Sequence, residues 1–428
     1  MYIELNNRET TSYEKLPATK ISDSIVYMSI LCPISISANE SFKNIGIQNG
    51  LAHTDANCVA QDSTGLIWIG TNSGLQNFDG YQLQTIDYYP SNQKIYESHN
   101  RITALECSKN RLWVGSDSGL TCLDLNTHLY VPYTIAEGDP TIFNQRILRL
   151  SIDNANHHLW IRVGNQLYVA KIEEATNTLY LLEWDNNSNL STYWTQQKPV
   201  IYEGKAWITT DKALIQLAII NQKVHIKRRY QLEDLLRQKT EISSLYASEG
   251  YLYLRSSQGC FRLPFSDNDL NTSDLSYIDF HQTNPNIPNN TIATFCVGKD
   301  GTLWCGYFGG IFEVRQPFTE HRTINQYLEN NRNINFSRTR ISSLFIDKFN
   351  NLWISTIDRG LYYRSLTSAP FQYLPNEKFQ EIGFAKNEIS SVTAQDNKTL
   401  WMIIAGGSVF YYNFTDKKLG PISLPITR

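Results

Sequence analysis

The sequence predicts an all-β protein: a seven-bladed β-propeller of four-stranded blades, closed by an N-terminal strand and followed by the first blade of a second propeller. Three observations predict it. First, an aromatic segment recurs eight times in 428 residues, at Trp68, Trp113, Trp160, Trp207, Tyr253, Trp304, Trp353 and Trp401, with spacings between 45 and 51 residues. A fixed period of this length marks stacked supersecondary units. Second, turn residues flank each aromatic segment, as in Asp62-Ser63-Thr64-Gly65 before Trp68 and Asn72-Ser73-Gly74 after it, which cuts each repeat into short strands. Third, Leu66-Ile67-Trp68-Ile69 and Leu112-Trp113-Val114 are apolar on both pleat faces. Each sheet therefore needs cover on two sides, and about 47 residues is too few to bury a core alone.

Each repeat opens with a short apolar strand, clearest in Ile102-Thr103-Ala104-Leu105, Ile242-Ser243-Ser244-Leu245, Ile341-Ser342-Ser343-Leu344 and Ile389-Ser390-Ser391-Val392. A turn, the aromatic strand, a second turn and a third strand follow. Segments such as Leu83 to Tyr89, Leu129 to Ile135 and Phe318 to Ile324 complete the blades. Units are expected at 52–90, 99–136, 145–185, 197–231, 241–283 and 290–325, with three strands of a seventh at 340–366. The orphan strand Phe42 to Ile47 is expected to finish that seventh blade, so that no edge stays open. The domain expectation is then a leader at 1–38, a propeller at 39–368 and the truncated start of a second propeller at 369–428. One eight-bladed ring is the alternative, in which the strands at 42–47 and 419–424 compete for one slot. Leu232 to Arg237 has helical spacing.

In the leader, Lys20 precedes the apolar stretch Ile25 to Cys32, and small residues end at Ala38. This reads as a secretory signal cleaved after Ala38. No other segment is long and apolar enough to span a bilayer, so a membrane tether is not expected within this chain. Net charge of −3 gives no reason to expect nucleic acid as a partner. The basic run Lys227-Arg228-Arg229 reads as a solvated strand edge. The cysteines lack metal spacing and read as small core residues; Cys296 and Cys305, on adjacent strands, could pair in an oxidising compartment.

Catalytic motifs are absent: no phosphate-binding glycine loop, HExxH or GxSxG is found. No catalytic residue, cofactor or metal is expected. Asp62, Asp153, Asp300, Asp347 and Asp396 stand before turns, where they would cap backbone amides. Gly65 and Gly301 stand three residues before tryptophan, as in the Asp-box turn of sialidases, but the aspartate spacing varies and sialidases have six blades. The turns between second and third strands share one face. Asn72, Asp117, Asp211, Lys212, Tyr307, Phe308, Asp358 and Arg359 are the expected ligand-binding ring there, the aromatics for stacking on sugars and the cations for acidic groups.

Asn49-Gly50-Leu51, Ala56 to Asp62, Gly65 to Thr71, Gly74-Leu75 and Phe78-Asp79-Gly80-Tyr81 closely resemble the two-component regulator propeller repeat. The likeness extends over about 42–424, strongest in repeats one, two, six and seven; Gly70 is replaced by Arg162, Thr209 and Arg255 in repeats three to five. The resemblance implies a periplasmic sensor half of a hybrid two-component regulator, anchored to the inner membrane and homodimeric as a full-length protein. It would recognise an oligosaccharide and regulate polysaccharide-use genes. A sialidase-like propeller hydrolase and a protein-interaction scaffold are the alternatives.

Overall fold

Short runs that are apolar on both pleat faces and separated by turn residues favour an antiparallel meander. The computed structural model describes residues 2–4, 42–86, 101–185 without 137 and 140, and 198–367 without 257, 267–268, 288–291, 328, 331–333 and 337–338. It also describes 371–373 and 389–421 without 395–397, 405–407, 414–415 and 417. The chain divides into two compact units, Ser41–Leu366 and a second made of Met1–Glu40 with Thr367–Arg428.

Among the described residues of Ser41–Leu366, seven sheets of four or five strands follow one another. Their aromatic strands are Ile67–Thr71, Arg111–Ser116, His158–Val163, Lys205–Thr209, Tyr251–Ser256, Leu303–Tyr307 and Asn351–Ile357. The seventh sheet takes its fourth strand from Lys43–Ile45, which pairs antiparallel with Leu361, Tyr362 and Tyr363. In the other unit Ile389–Ala394, Thr399–Ile404, Ser408–Asn413 and Lys418–Pro421 form a further four-stranded sheet. The strands at 43–45 and 418–421 therefore serve different sheets. Tyr2–Glu4 pairs with Phe371–Tyr373; the rest of the expected leader, 5–38, lies outside the described residues, as does Asp396. Among the described residues no helix is long and apolar enough to cross a membrane.

Two blade ends differ from expectation. Leu129–Val131 stays in the second sheet, but Thr134–Ala136 crosses to pair in parallel with Thr178, Leu179 and Tyr180 of the third. Pro132 between them has no N–H to continue a ladder. In the sixth sheet the fourth strand is Thr323–Tyr327; Phe318 instead packs against the core shared with the fifth sheet, under the Arg262 guanidinium at 4.3 Å. Leu232–Leu236 is helical and buries Leu232, Leu235 and Leu236. Lys227, Arg228 and Arg229 lie exposed on an outer strand.

The repeated aromatics are buried between successive sheets. Trp68 lies in a cluster with Leu112 and Val114 of the second sheet, and Trp113 with Leu159 and Ile161 of the third. Trp160, Trp207, Tyr253 and Trp304 continue the pattern into the fourth to seventh sheets. Trp353 of the seventh packs with Ile67, Ile69 and Phe78 of the first. Burying one such ring stabilises by about 2–3 kcal/mol, and the ring needs both sheets to be buried.

A backbone device accompanies this packing. In six of the seven opening strands the register slips just after the first core residue, at Asn57, Thr103, Leu148, Ser243, Ala293 and Ser342. A bulge leaves that residue outside the ladder. Three use the freedom to reach the next sheet: Asn57 Nδ2 donates to Ile102 O at 2.8 Å, Thr103 Oγ1 to Ile147 O at 2.5 Å, and Ser342 Oγ to Ala56 O at 2.6 Å. Two residues after the aromatic, Gly70, Gly115 and Gly306 give the next sheet's isoleucine room; a Cβ on Gly70 would stand 2.6 Å from Ile102 Cγ2.

The turn aspartates cap as expected, and two do more. Asp62 Oδ1 accepts from the N–H groups of Thr64, Gly65 and Leu66, while Oδ2 accepts the Trp68 indole N–H at 2.9 Å. Asp347 holds Trp353 in the same way at 2.8 Å. The pair requires a spacing of six residues. Six residues before Trp113 stands Cys107, and before Trp160 stands Asn154; both indole N–H groups are buried without a partner among the described residues. Cys296 and Cys305 are free thiols. Cys305 is registered opposite Phe295 and Cys296 opposite Trp304, so neighbouring positions send the two sulfurs to opposite faces, one core shared with the fifth sheet and the other with the seventh. This corrects the pairing considered from sequence.

Asp62→Ala should cost about 2 kcal/mol in urea unfolding, because it strands buried donors. Burial raises the Asp62 pKa, but hydrogen bonds from Thr64, Trp68, Gly65 and Leu66 outweigh it and hold the carboxyl below its ordinary value. A lowered folded pKa gives stability that is present above the unfolded value near 4 and is lost as pH falls through the folded one. The acid loss of stability should therefore be smaller in Asp62→Asn than in the parent. Gly360 has φ +75°, and a Cβ there would meet Ile45 O of the inserted strand at 2.5 Å. Gly360→Ala should cost on the order of 3 kcal/mol, against about 1–2 kcal/mol for Gly74→Ala, where φ is +112° and nothing stands within 4 Å.

Candidate ligand-binding rim

The second-to-third-strand turns and the starts of the opening strands lie at the same end of each sheet, because these strands are antiparallel neighbours. Four of the eight predicted residues, Asn72, Phe308, Asp358 and Arg359, fall on a connected path there. Asn72 Nδ2 donates to Asp55 Oδ2 at 2.7 Å, and the Asp358 N–H donates to Asp55 Oδ1 at 2.8 Å. Asp55 thus joins the first sheet to the seventh, beside the Gly360 N–H that donates to Thr54 O at 2.7 Å. Asp358 also accepts from Thr339 Oγ1 at 2.7 Å and has Arg359 Nε 3.8 Å away. Thr339 O accepts from Gly309, and Phe308 bridges Arg340. Further round, Asp117 pairs with Arg146 at 2.9 Å and lies 3.8 Å from Arg101.

Asp211 and Lys212 are exposed in the fourth sheet's turn. Lys212 is tied there through its backbone, whose carbonyl accepts the Leu232 N–H at 2.8 Å. Tyr307 does not belong to the rim. It is 3% exposed and its ring lies 6.0 Å from that of Phe312, inside the core shared by the fifth and sixth sheets. It is the last residue of the aromatic strand, registered opposite Gly310, and the pleat turns it inward while the next residue, Phe308, points out at 58% exposure.

Residues not anticipated from sequence share one repeat position. Asp55, Arg101, Arg146, Glu241 and Arg340 each stand immediately before the first core residue of an opening strand. Superposing the repeats on their Arg-Ile steps at 101, 146 and 340 would have found them. Among the described residues no group of His, Cys, Asp and Glu could hold a metal ion. The rim offers guanidinium, carboxylate and amide groups around an exposed phenyl ring, suited to hydrogen bonding and stacking.

Residues 50–73 match the family model described as two component regulator propeller; the chain carries this repeat. Similar solved structures include the extracellular domains of two B. thetaiotaomicron proteins described as hybrid two component systems. BT4673 matches with TM-score 0.57 and 18% identity over 90% of this chain and 48% of that one. BT3049 matches with TM-score 0.55 and 18% identity over 91% and 50%. The β-propeller domain of Cps50 (Swd1) from Myceliophteria thermophila matches with TM-score 0.51 and 12% identity over 73% and 97%. These likenesses show the propeller fold. The chain spans about half the length of the two B. thetaiotaomicron structures. No curated protein matches the chain.

Tyr307→Ala should cost about 3–4 kcal/mol in urea unfolding, as an aromatic truncation in a core. Phe308→Ala should stay within about 0.5 kcal/mol of the parent. Equal effects would contradict the inward and outward assignment.

Proposed function

We propose that residues 42–366 form a closed seven-bladed ring that serves as a ligand-binding sensor module on the extracytoplasmic side of a hybrid two-component signalling protein. Residues 367–428 would open a second propeller. The observation that carries this reading is the two component regulator propeller repeat at 50–73, in a chain whose fold resembles extracellular domains of that system type. The ring is supported by the packing of Trp353 onto the first sheet and by the insertion of Lys43–Ile45 into the seventh.

The ligand we infer is an oligosaccharide, held at the rim by Phe308 as a stacking platform, with Asp358, Arg359, Asn72, Asp117, Asp211 and Lys212 as polar partners. Binding would bias the placement of paired propellers and so a kinase across the membrane, in a full-length homodimer that controls polysaccharide-use genes. A non-catalytic module fits the turn aspartates, since Asp62 and Asp347 are engaged by backbone and indole donors. Glycan-array screening followed by calorimetry on the chain should find saccharide binding that Phe308→Ala weakens by about fivefold or more, the loss of roughly 1 kcal/mol of stacking. Fluorogenic glycosides should not be turned over. Turnover would support a hydrolase, and binding confined to proteins would support a scaffold.

A further inference from the structure

Where the sixth and seventh sheets meet at the rim, an arginine stands without an acid. The second and third sheets show what is missing. Asp117, four residues after Trp113, lies between the two arginines that precede opening strands, Arg101 of its own sheet at 3.8 Å and Arg146 of the next at 2.9 Å. Arg340 holds that strand position in the seventh sheet. The residues that correspond to Asp117 are Ile357 in the seventh sheet and Phe308 in the sixth, each four residues after its tryptophan. Arg340 is registered opposite Ile357 and forms an antiparallel bridge with Phe308. On both sides, an apolar side chain replaces the carboxylate.

The nearby Asp358 does not substitute. The seventh sheet's turn is one residue longer, with seven positions from Trp353 to Gly360 against six from Trp68 to Gly74 and from Trp113 to Gly119. Asp358 in that turn is left-handed at φ +78°, a backbone uncommon outside glycine. Its N–H donates to Asp55 Oδ1 at 2.8 Å, and its carboxylate accepts from the Thr339 hydroxyl at 2.7 Å with Arg359 Nε 3.8 Å away. Among the described residues Arg340 makes no ion pair and its guanidinium lies over no aromatic ring. Arg340 is exposed, and Phe308 is 58% exposed. Directly opposed residues of an antiparallel pair project to the same face, so an open phenyl ring and an unpaired guanidinium stand side by side.

We propose that Phe308 and Arg340 form a subsite for a sugar residue that bears a carboxylate, the phenyl ring taking the apolar face of the sugar and the guanidinium its carboxylate. The subsite rests on the glycan-sensing reading above and narrows the ligand from oligosaccharides in general to those containing a uronate. A guanidinium offers a carboxylate two parallel N–H donors, which an ammonium cannot reproduce. An aromatic face beside it holds the ring that carries the acid. Arg101 and Arg146 are less suited to this task, because Asp117 already supplies their carboxylate.

The test is calorimetry on the 428-residue chain with oligogalacturonates and hyaluronan oligosaccharides, each against its methyl ester, and with neutral galactan oligosaccharides. The parent should bind at least one of the two acids more tightly than its ester. Arg340→Gln should bind that acid about tenfold or more weakly, as loss of a charged hydrogen bond implies, and bind the ester as the parent does. Phe308→Ala should weaken acid and ester alike, by about fivefold. Should Arg340→Gln fail to fold, Arg340→Lys, which keeps the charge without the fork, should bind the acid more weakly than the parent and the ester equally. Acid and ester bound with one affinity, or acid affinity unchanged in the Arg340 variants, would overturn the subsite. Binding confined to neutral saccharides and weakened by Phe308→Ala would leave the sensor reading standing and remove this one; no binding to any saccharide would remove both.

Discussion

Everything in the unit Ser41–Leu366 depends on the burial of one large aromatic side chain per sheet against a neighbouring sheet. A four-stranded meander of about 40 residues cannot hide an indole from water by itself. Trp68, Trp113, Trp160, Trp207, Tyr253, Trp304 and Trp353 are each at most 4% exposed, and each achieves this only in a cluster that includes residues of a neighbouring sheet. Stability of this kind is shared between neighbours. A defect in one sheet should be felt in the next.

Polar groups then set the alignment that hydrophobic burial leaves free. The opening-strand bulges release Asn57, Thr103 and Ser342 to bind the next sheet's first carbonyl. Asp62 and Asp347 pin their indoles through a carboxylate that also caps the turn. Where the six-residue spacing is missing, the indole N–H of Trp113 or Trp160 is left unsatisfied, a loss of about 1–3 kcal/mol per group that sandwich packing must offset. The glycines at 70, 115 and 306 belong to the same logic. They are small for the sake of close approach, since none has a left-handed φ.

The rim is the by-product of this geometry. Antiparallel pairing brings each second-to-third-strand turn beside the start of an opening strand, so residues that cap the structure also face the solvent at one end. Asp55 shows both roles, joining Asn72 and Asp358 across the first and seventh sheets.

The amino-acid sequence alone determined the all-β class, the repeat, the aromatic strands, the capping role of Asp62, Asp153, Asp300 and Asp347, and the N-terminal strand at 43–45 as the completing partner of the last sheet of Ser41–Leu366. These are legible because periodicity and turn chemistry act over a few residues. Tertiary structure alone decided that Tyr307 faces inward and Phe308 outward, that Cys296 and Cys305 stand on opposite faces, and that Thr134–Ala136 belongs to the following sheet. It also decided which polar groups meet, as where the Asn72 amide and the Asp358 backbone N–H both donate to the Asp55 carboxylate. Side-chain direction alternates with every residue, so one position of register moves a group from core to rim. Register is set by partners that lie up to some 300 residues away, which no local pattern encodes.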